Sequence, residues 1–482
     1  MQVLIVLSIL LPVAAGLFIK KMNRGSLAAV LAAEAALNAA IAFTAGKSAV
    51  VWRFTQGLEL MTGADALSRL FGVLISAVWL LAGIYAFGYM EHEHEKPRFY
   101  RYFMLTEAAL MLIVYSGNFF TFFMGFEAMT VLSMPMVIHE QDAAARSAAL
   151  KYMGFSIFGA SAALAGFFVL DRYGVSTVFT PGGVLDAART AGNEDMLRAV
   201  WLIMVVGFGA KAGMFPLHSW LPTAHPVAPS PASAVLSGVI TKCGVLAIIR
   251  VTFNLFGTQL LSGSWAQTAA LVLALITVFM GSMMALGEKL IKKRLAYSTV
   301  SQVSYMLFGL MLMNAKGFEG AMLQAVFHML AKNALFMWAG AVIHETGLTR
   351  VDELRGLGRR MPAAMWGFTI ASLSLIGIPP TGGFVSKWYL ASGALGYESY
   401  AMGISGVCVL IISALLTAGY LLPIMAAAFF PGREAYFTPV ERKEPAMTML
   451  VPVLVLAILT VVTGVFPNII TDAIAPVTRA LF

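Results

Sequence analysis

Charge and cysteine are what this chain has least of. Only 12% of its 482 residues are Asp, Glu, Lys or Arg, and it holds two cysteines. So little charge cannot furnish the polar surface of a soluble protein of this length. Cys243 and Cys408 both lie in apolar stretches and suggest no disulfide framework. Two thiols also fall short of the four that an iron–sulfur cluster usually takes, so the chain brings no visible redox centre. No glycine-rich phosphate loop, nucleophile elbow or zinc spacing is present. The formal charge of +8 is scattered, with no basic run interleaved with aromatics, which argues against nucleic acid as a partner. No long linker or low-complexity segment divides the chain, so it reads as one membrane domain without a soluble catalytic module.

What is abundant is apolar sequence: 59% hydrophobic residues and a mean hydropathy of +0.82. Windows long enough to cross a bilayer occur at about 3–19, 25–45, 69–90, 102–116, 118–138, 148–170, 198–221, 232–256, 264–287, 295–315, 320–344, 362–396, 401–430 and 446–468. This predicts an all-α polytopic membrane protein of about fourteen transmembrane helices. The first window has no basic segment before it and is followed by Lys20, Lys21 and Arg24, so it reads as a retained helix rather than a cleaved signal. The twelfth is interrupted by the run Gly377 to Gly383. With both termini outside, the inner loops carry 19 Lys and Arg and the outer ones 9, the bias expected of this orientation. Loops 46–68 and 171–197 are expected to cover the outer face.

Four lysines stand inside these windows: Lys211, Lys242, Lys332 and Lys387. An ammonium at bilayer depth costs at least ~2.5–3.5 kcal/mol, so each should face protein or a wet cavity. Together with Glu127 and His328 they suggest a path for charge. Between Pro216 and Pro231 lie five prolines in sixteen residues, which no regular helix tolerates. A second break, Pro379-Pro380-Thr381-Gly382-Gly383, precedes Lys387. Paired broken helices point to an ion site between inverted halves, although prolines that only kink two helices are the alternative. Glu127 lies about nine residues into its span, ~14 Å deep, where a partner lysine would keep it charged. A static pair joining two helices is the other reading. His328 and Lys332 are one turn apart on one face, ~6 Å, a step that suits a water-assisted proton hop. His218, His225 and His344 are secondary candidates. Glu34 and Glu107 lie within spans but lack a neighbouring break. His92 and His94 sit in a solvated run, Glu91 to Glu95, without convergent ligands, and read as a polar turn rather than a metal site.

The segments around Glu127, Lys211 to Pro231, Lys242, His328/Lys332 and Lys387 resemble the antiporter-like proton-conducting membrane subunits. That family comprises the pump subunits of complex I, the large subunits of Mrp-type Na+/H+ antiporters and their membrane-bound hydrogenase relatives. The likeness spans roughly residues 65–430. It is strongest in Phe215-Pro-Leu-His-Ser-Trp-Leu-Pro-Thr-Ala-His225 and in Arg294-Leu-Ala-Tyr-Ser-Thr-Val-Ser-Gln302. The resemblance implies two inverted five-helix repeats, spans 4–8 (102–256) and 9–13 (264–430), with spans 7 and 12 discontinuous. Spans 1–3 (1–101) and a final helix (446–482) flank them. It also implies a Glu127–Lys211 pair, Lys242 as central relay, His328 and Lys332 as its continuation and Lys387 as the terminal lysine. Some complex I subunits have glutamate at that last position. The chain ends soon after span 14 with no long lateral helix, unlike the distal complex I subunit.

The expectation is a subunit moving protons, or sodium ions, along a buried Glu/Lys/His relay. It would belong to a complex I-like oxidoreductase of the NADH-quinone or membrane-bound hydrogenase type. The alternative is a subunit of a multi-subunit Mrp-type antiporter without redox activity. No cofactor or metal is expected in this chain; flavin, iron–sulfur or Ni–Fe centres would sit on peripheral partners. Other membrane subunits and the lipid bilayer complete the partners, in a prokaryotic inner or plasma membrane.

Overall fold

The computed structural model describes residues 1–44, 46, 48–55, 58–432 and 441–482. Helices account for nearly all of the regular structure, as they must where the bilayer offers no water to satisfy free backbone groups. In chain order they are α1 Gln2–Leu17, α2 Arg24–Ala42, α3 Ala66–Tyr89, α4 Lys96–Val114, α5 Phe119–Val137, α6 Ala143–Tyr173, α7 Glu194–Ala212 and the short α8 Leu221–Val227. There follow α9 Ser230–Phe256, α10 Trp265–Gly287, α11 Ile291–Met311, α12 Ala315–Thr346, α13 Pro362–Ile376, α14 Gly382–Leu395, α15 Tyr400–Phe429, α16 Met447–Val465 and α17 Asn468–Leu481. Among the described residues nine helices are long and apolar enough to cross a membrane by length and composition. Side-chain caps start many of them: Asn23 with Ser26, Asp65, Asn118, Asp142, Ser264, Asn314 and Ser399 each accept from the first turn.

The helices sort by burial. All of the most apolar window of α9 and 94% of that of α12 is enclosed by protein, against 33% for α15. A helix apolar all round belongs in the middle, so α9 and α12 form the centre and α15 the rim. Small residues set the closest approaches. A Cβ on Gly244 of α9 would lie 2.7 Å from the Ala212 backbone N, and one on Gly238 would meet Asn333 Nδ2 at 1.7 Å. These glycines let α9 lie directly on α7 and α12, the helices that carry Lys211 and Lys332.

Loops gather at two opposite faces. On one, Thr62 bridges to Ser116 and Asn118 to Val178. On the other, Arg24 pairs with Glu91, Leu290 bridges to Arg350, and Lys443 pairs with Glu345. In the expected outer loop, Ala49–Thr55 and Leu58–Thr62 pair as two antiparallel strands. Two cations counted as loop charges are buried instead. Lys292 donates to the Ala228 carbonyl at 2.9 Å, and Arg250 pairs with Asp65 and hydrogen-bonds Ser68 Oγ at 3.0 Å. Asp65 lies at the head of α3, outside the span. Partial desolvation tends to raise its pKa, but the charge and hydrogen bonds of Arg250 outweigh that and hold it at about 2.

Candidate proton path

Both predicted breaks are present, and each is closed by a polar side chain. α7 ends at Gly213 in the left-handed region, φ 86°, and the chain then turns through 214–220 before α8. The Trp220 indole N–H donates 2.8 Å to the Ala210 carbonyl, which also accepts from the Gly213 N–H at 3.2 Å in the last turn. α13 ends at Gly377, φ 92°, where the N–H groups of Gly377 and Ile378 both return to the Leu373 carbonyl. Its last carbonyls, those of Leu375 and Ile376, accept from the Lys387 ammonium, the latter at 2.6 Å. That ammonium, on α14, therefore caps the negative end of the preceding half-helix. Its stem lies across the gap: a Cβ at Gly377 would be 2.8 Å from Lys387 Cδ.

Lys211, one residue from the end of α7, is 1% exposed. Its ammonium donates to Tyr152 Oη at 2.8 Å and Ser156 Oγ at 3.0 Å, both on α6, and lies 4.3 Å from the Tyr152 ring centroid. Tyr152 and Ser156, and not Glu127, are thus the direct partners of the ammonium. No Glu127–Lys211 ion pair within 4.0 Å occurs among the described residues, and Glu127 Oε1 is buried without a hydrogen-bond partner. Tyr152 supplies both a hydroxyl and a π face, which is why it takes the ammonium first.

Lys242 and His328 meet at the centre. In α9 the turn Leu236–Ile240 widens into a π-helical turn. Its Ser237 carbonyl accepts from Lys242 Nζ at 2.7 Å, and Lys242 Nζ lies 2.6 Å from His328 Nδ1. Both side chains are within 1% of complete burial, and His328 Nε2 has no partner. Lys332, one turn further along α12, donates to the Leu295 carbonyl of α11 at 2.9 Å. Beyond His328, Gln324 joins three helices. Its Nε2 donates to Gln302 Oε1 at 2.8 Å, and its Oε1 accepts from Ser386 Oγ at 2.6 Å, beside Lys387. The result is a row of buried groups that can accept and donate protons, carried on α7, α9, α12 and α14.

Two family models match this sequence. One, described as "NADH:quinone oxidoreductase/Mrp antiporter, TM", covers residues 116–413, and another, described as "NADH-Ubiquinone oxidoreductase (complex I), chain 5 N-terminus", covers residues 56–100. The chain belongs to this antiporter-like family. It is 33% identical to NADH-quinone oxidoreductase subunit N of Desulforudis audaxviator over 86% of its own length and 83% of that protein. It is 30% identical to a Na(+)/H(+) antiporter subunit from Alkalihalophilus pseudofirmus, over 86% and 81% respectively. Hydrogenase-4 component B of Escherichia coli is also 30% identical, but the chain spans only 65% of it. The fold matches a chain of the Mrp complex from Dietzia, TM-score 0.86 at 21% identity over 100% of this chain and 98% of that one. It also matches a chain of respiratory complex I from Thermus thermophilus, TM-score 0.82 at 22% identity over 99% and 100%. These relatives are subunits of multi-subunit membrane complexes, and the chain is an integral membrane subunit of that kind.

The secondary histidines divide. His225 is buried on α8 with neither ring nitrogen partnered, stacked 4.5 Å from Phe336, which lies one turn from Lys332 on α12. It belongs with the row. His218 is half-buried, 6.0 Å from the Phe215 ring, and His344 pairs with Glu345 at 3.2 Å near a loop face, apart from the lysines. The polar turn at 91–95 does have converging neighbours. His94 and His139 stack at 4.9 Å and each accepts the other's ring nitrogen at its carbonyl, which brings Glu93, His94 and Glu140 atoms within 4.8 Å of one another. Sequence reasoning missed Tyr152, Ser156, Gln302, Gln324 and Ser386; hydroxyls and amides in apolar helices are too common to signal alone.

Proposed function

We propose that this subunit translocates protons along Lys211–Lys242–His328/Lys332–Lys387, with Glu127 setting whether Lys211 holds its proton. The observation that carries this reading is the Lys242–His328 contact. An ammonium 2.6 Å from an imidazole nitrogen needs only a shift of its proton to hand charge from α9 to α12. The unpartnered Nε2 is then free to pass a proton on. Gln302, Gln324 and Ser386 would order water over the gap to Lys387. Such a row can do work because moving a unit charge against ~150 mV costs about 3.5 kcal/mol, within what rearranging one buried ion pair supplies.

The accompanying architecture is fourteen crossings, with inverted repeats 102–256 and 264–430 flanked by 1–101 and 446–482, and both termini on the outer face of a prokaryotic plasma membrane. The complex is read as a complex I-like oxidoreductase, in which flavin, cluster or Ni–Fe centres belong to peripheral subunits; the likeness to the NADH-quinone oxidoreductase relative supports it. The Na+/H+ antiporter relatives favour a purely ion-driven assembly as the second reading. Purification from native membranes separates them: cluster-binding chains in the complex support the first, and a set of membrane subunits alone supports the second. Transport itself is tested by Glu127→Ala and Lys211→Ala, which should each abolish translocation in fully assembled complex. Wild-type rates in either would remove that residue from the path.

A further inference from the structure

The turn at 91–95 holds a side-chain cluster that the proton path does not use. In the sequence it lacks convergent ligands; the fold supplies one from the connection between α5 and α6. α3 ends at Tyr89 and α4 starts at Lys96, with Glu95 between them in the left-handed region, φ 48°. α5 ends at Val137, and Gln141, φ 58°, turns the chain into α6, which Asp142 caps. Because α4 packs along α5, the two short connections meet. His94 and His139 stack there at 4.9 Å, with His139 fully buried. Two hydrogen bonds lock the pair: His94 Nε2 donates to the His139 carbonyl at 3.2 Å, and His139 Nε2 to the His94 carbonyl at 3.1 Å.

Those bonds fix the His94 tautomer. A carbonyl only accepts, so the proton of the neutral ring is on Nε2 and Nδ1 presents a lone pair. Nδ1 lies 4.0 Å from Glu140 Oε2, itself an acceptor. Glu93 brings a second carboxylate, and one donor atom from each of Glu93, His94 and Glu140 lies within 4.8 Å of the other two. Among the described residues neither glutamate forms an ion pair with Lys or Arg within 4.0 Å, and the guanidinium of Arg98 donates to the His139 carbonyl instead. Three electron-pair donors thus converge without a basic side chain between them. The His94 ring is also mounted as metal-bound imidazoles are, its far N–H held by a backbone carbonyl. Zinc bonds of ~2.0–2.2 Å set tetrahedral ligands ~3.4 Å apart, so His94 Nδ1 and Glu140 Oε2 need to approach by only ~0.6 Å. Both side chains are partly exposed, 49% and 40%, and have the freedom to do so.

We propose that Glu93, His94 and Glu140 bind one divalent transition-metal cation of the Zn2+ type, with water completing its coordination. The ion would tie the connection between α3 and α4 to that between α5 and α6. Two carboxylates and a neutral imidazole carry a charge of −2, which a divalent ion cancels. The nitrogen ligand selects against Mg2+ and Ca2+, which take oxygen. A proton on Nδ1, making a plain His94–Glu140 ion pair, is the competing way to fill the gap.

Carbethoxylation by diethyl pyrocarbonate, read by peptide mass in the assembled complex, tests this, because the reagent needs a free imidazole nitrogen. In the wild-type protein excess zinc chloride should protect His94 and leave His92, exposed and outside the cluster, reactive. Magnesium chloride should protect neither. Glu93→Gln and Glu140→Gln should each raise the zinc concentration for half-protection of His94 by at least ~10-fold. Equal labelling of His94 with and without zinc in the wild-type protein, a comparison that needs no variant to assemble, would overturn the proposal in favour of the ion pair. Protection by magnesium, or zinc protection unchanged in both variants, would overturn it as well, showing charge screening or binding at His94 alone.

Discussion

Arginine at position 387 separates relay from static charge. Lys387 donates to the Leu375 and Ile376 carbonyls at the end of α13. A guanidinium keeps the charge and the donors for both, so Lys387→Arg should preserve the helix junction and assembly. What it loses is the ability to let a proton go. Reference pKa values of ~10.4 for lysine and ~12.5–13.8 for arginine differ by about 2–3, and each unit is worth ~1.36 kcal/mol. Release from arginine is therefore harder by roughly 3–4 kcal/mol, or about 100–1000-fold in rate. Proton transport in inverted membrane vesicles, normalised to assembled complex, should fall by at least that lower factor. Wild-type transport with arginine would show that position 387 supplies only fixed charge. Lys387→Met is the structural control: it leaves two carbonyls unpaired, at about 1–3 kcal/mol each, and recovers the cost of burying an ammonium.

Gly238→Ala should destabilise the centre by about 1–3 kcal/mol, because its Cβ would sit 1.7 Å from Asn333 Nδ2. Thermal unfolding in detergent should show the loss, and adding Asn333→Ala should recover part of it. The Asp65–Arg250 joint should be insensitive to acid down to about pH 4. The Asp65 pKa is lowered on folding, to about 2, so its stabilisation is present above the unfolded value and disappears as pH falls through the interval between the two. Asp65→Asn should remove that acid-dependent component and lower stability at neutral pH by ~1–3 kcal/mol.

The helices were legible because hydropathy is the signal that the bilayer imposes. Windows such as 264–287 and 118–138 match α10 and α5 to within a residue or two. The breaks were legible through proline and glycine, and the row through lysines that apolar sequence cannot otherwise accommodate. Side-chain partners were not. Lys211 meets Tyr152 and Ser156 across 59 and 55 residues, and Lys242 meets His328 across 86. Such pairings depend on helix rotation and crossing, which depend on glycines like Gly238 and Gly244. The same limit explains the loop charges. Lys292 and Arg250 look like interfacial cations in one dimension and are buried once α8 and α3 pack against them. The strand pair was missed because Ala-Val-Val-Trp-Arg-Phe-Thr and Leu-Glu-Leu-Met-Thr are short and lie in a connection between two far longer apolar helices.

The central claim is that charge passes from one half of the chain to the other between Lys242 and His328. Lys242→Met removes the donor while keeping a side chain of similar length. Proton translocation by the assembled complex, compared at equal amounts of wild-type and Lys242→Met protein in vesicles, tests that claim most directly. The account predicts normal assembly with transport reduced to background. Normal assembly with transport at the wild-type rate would contradict it.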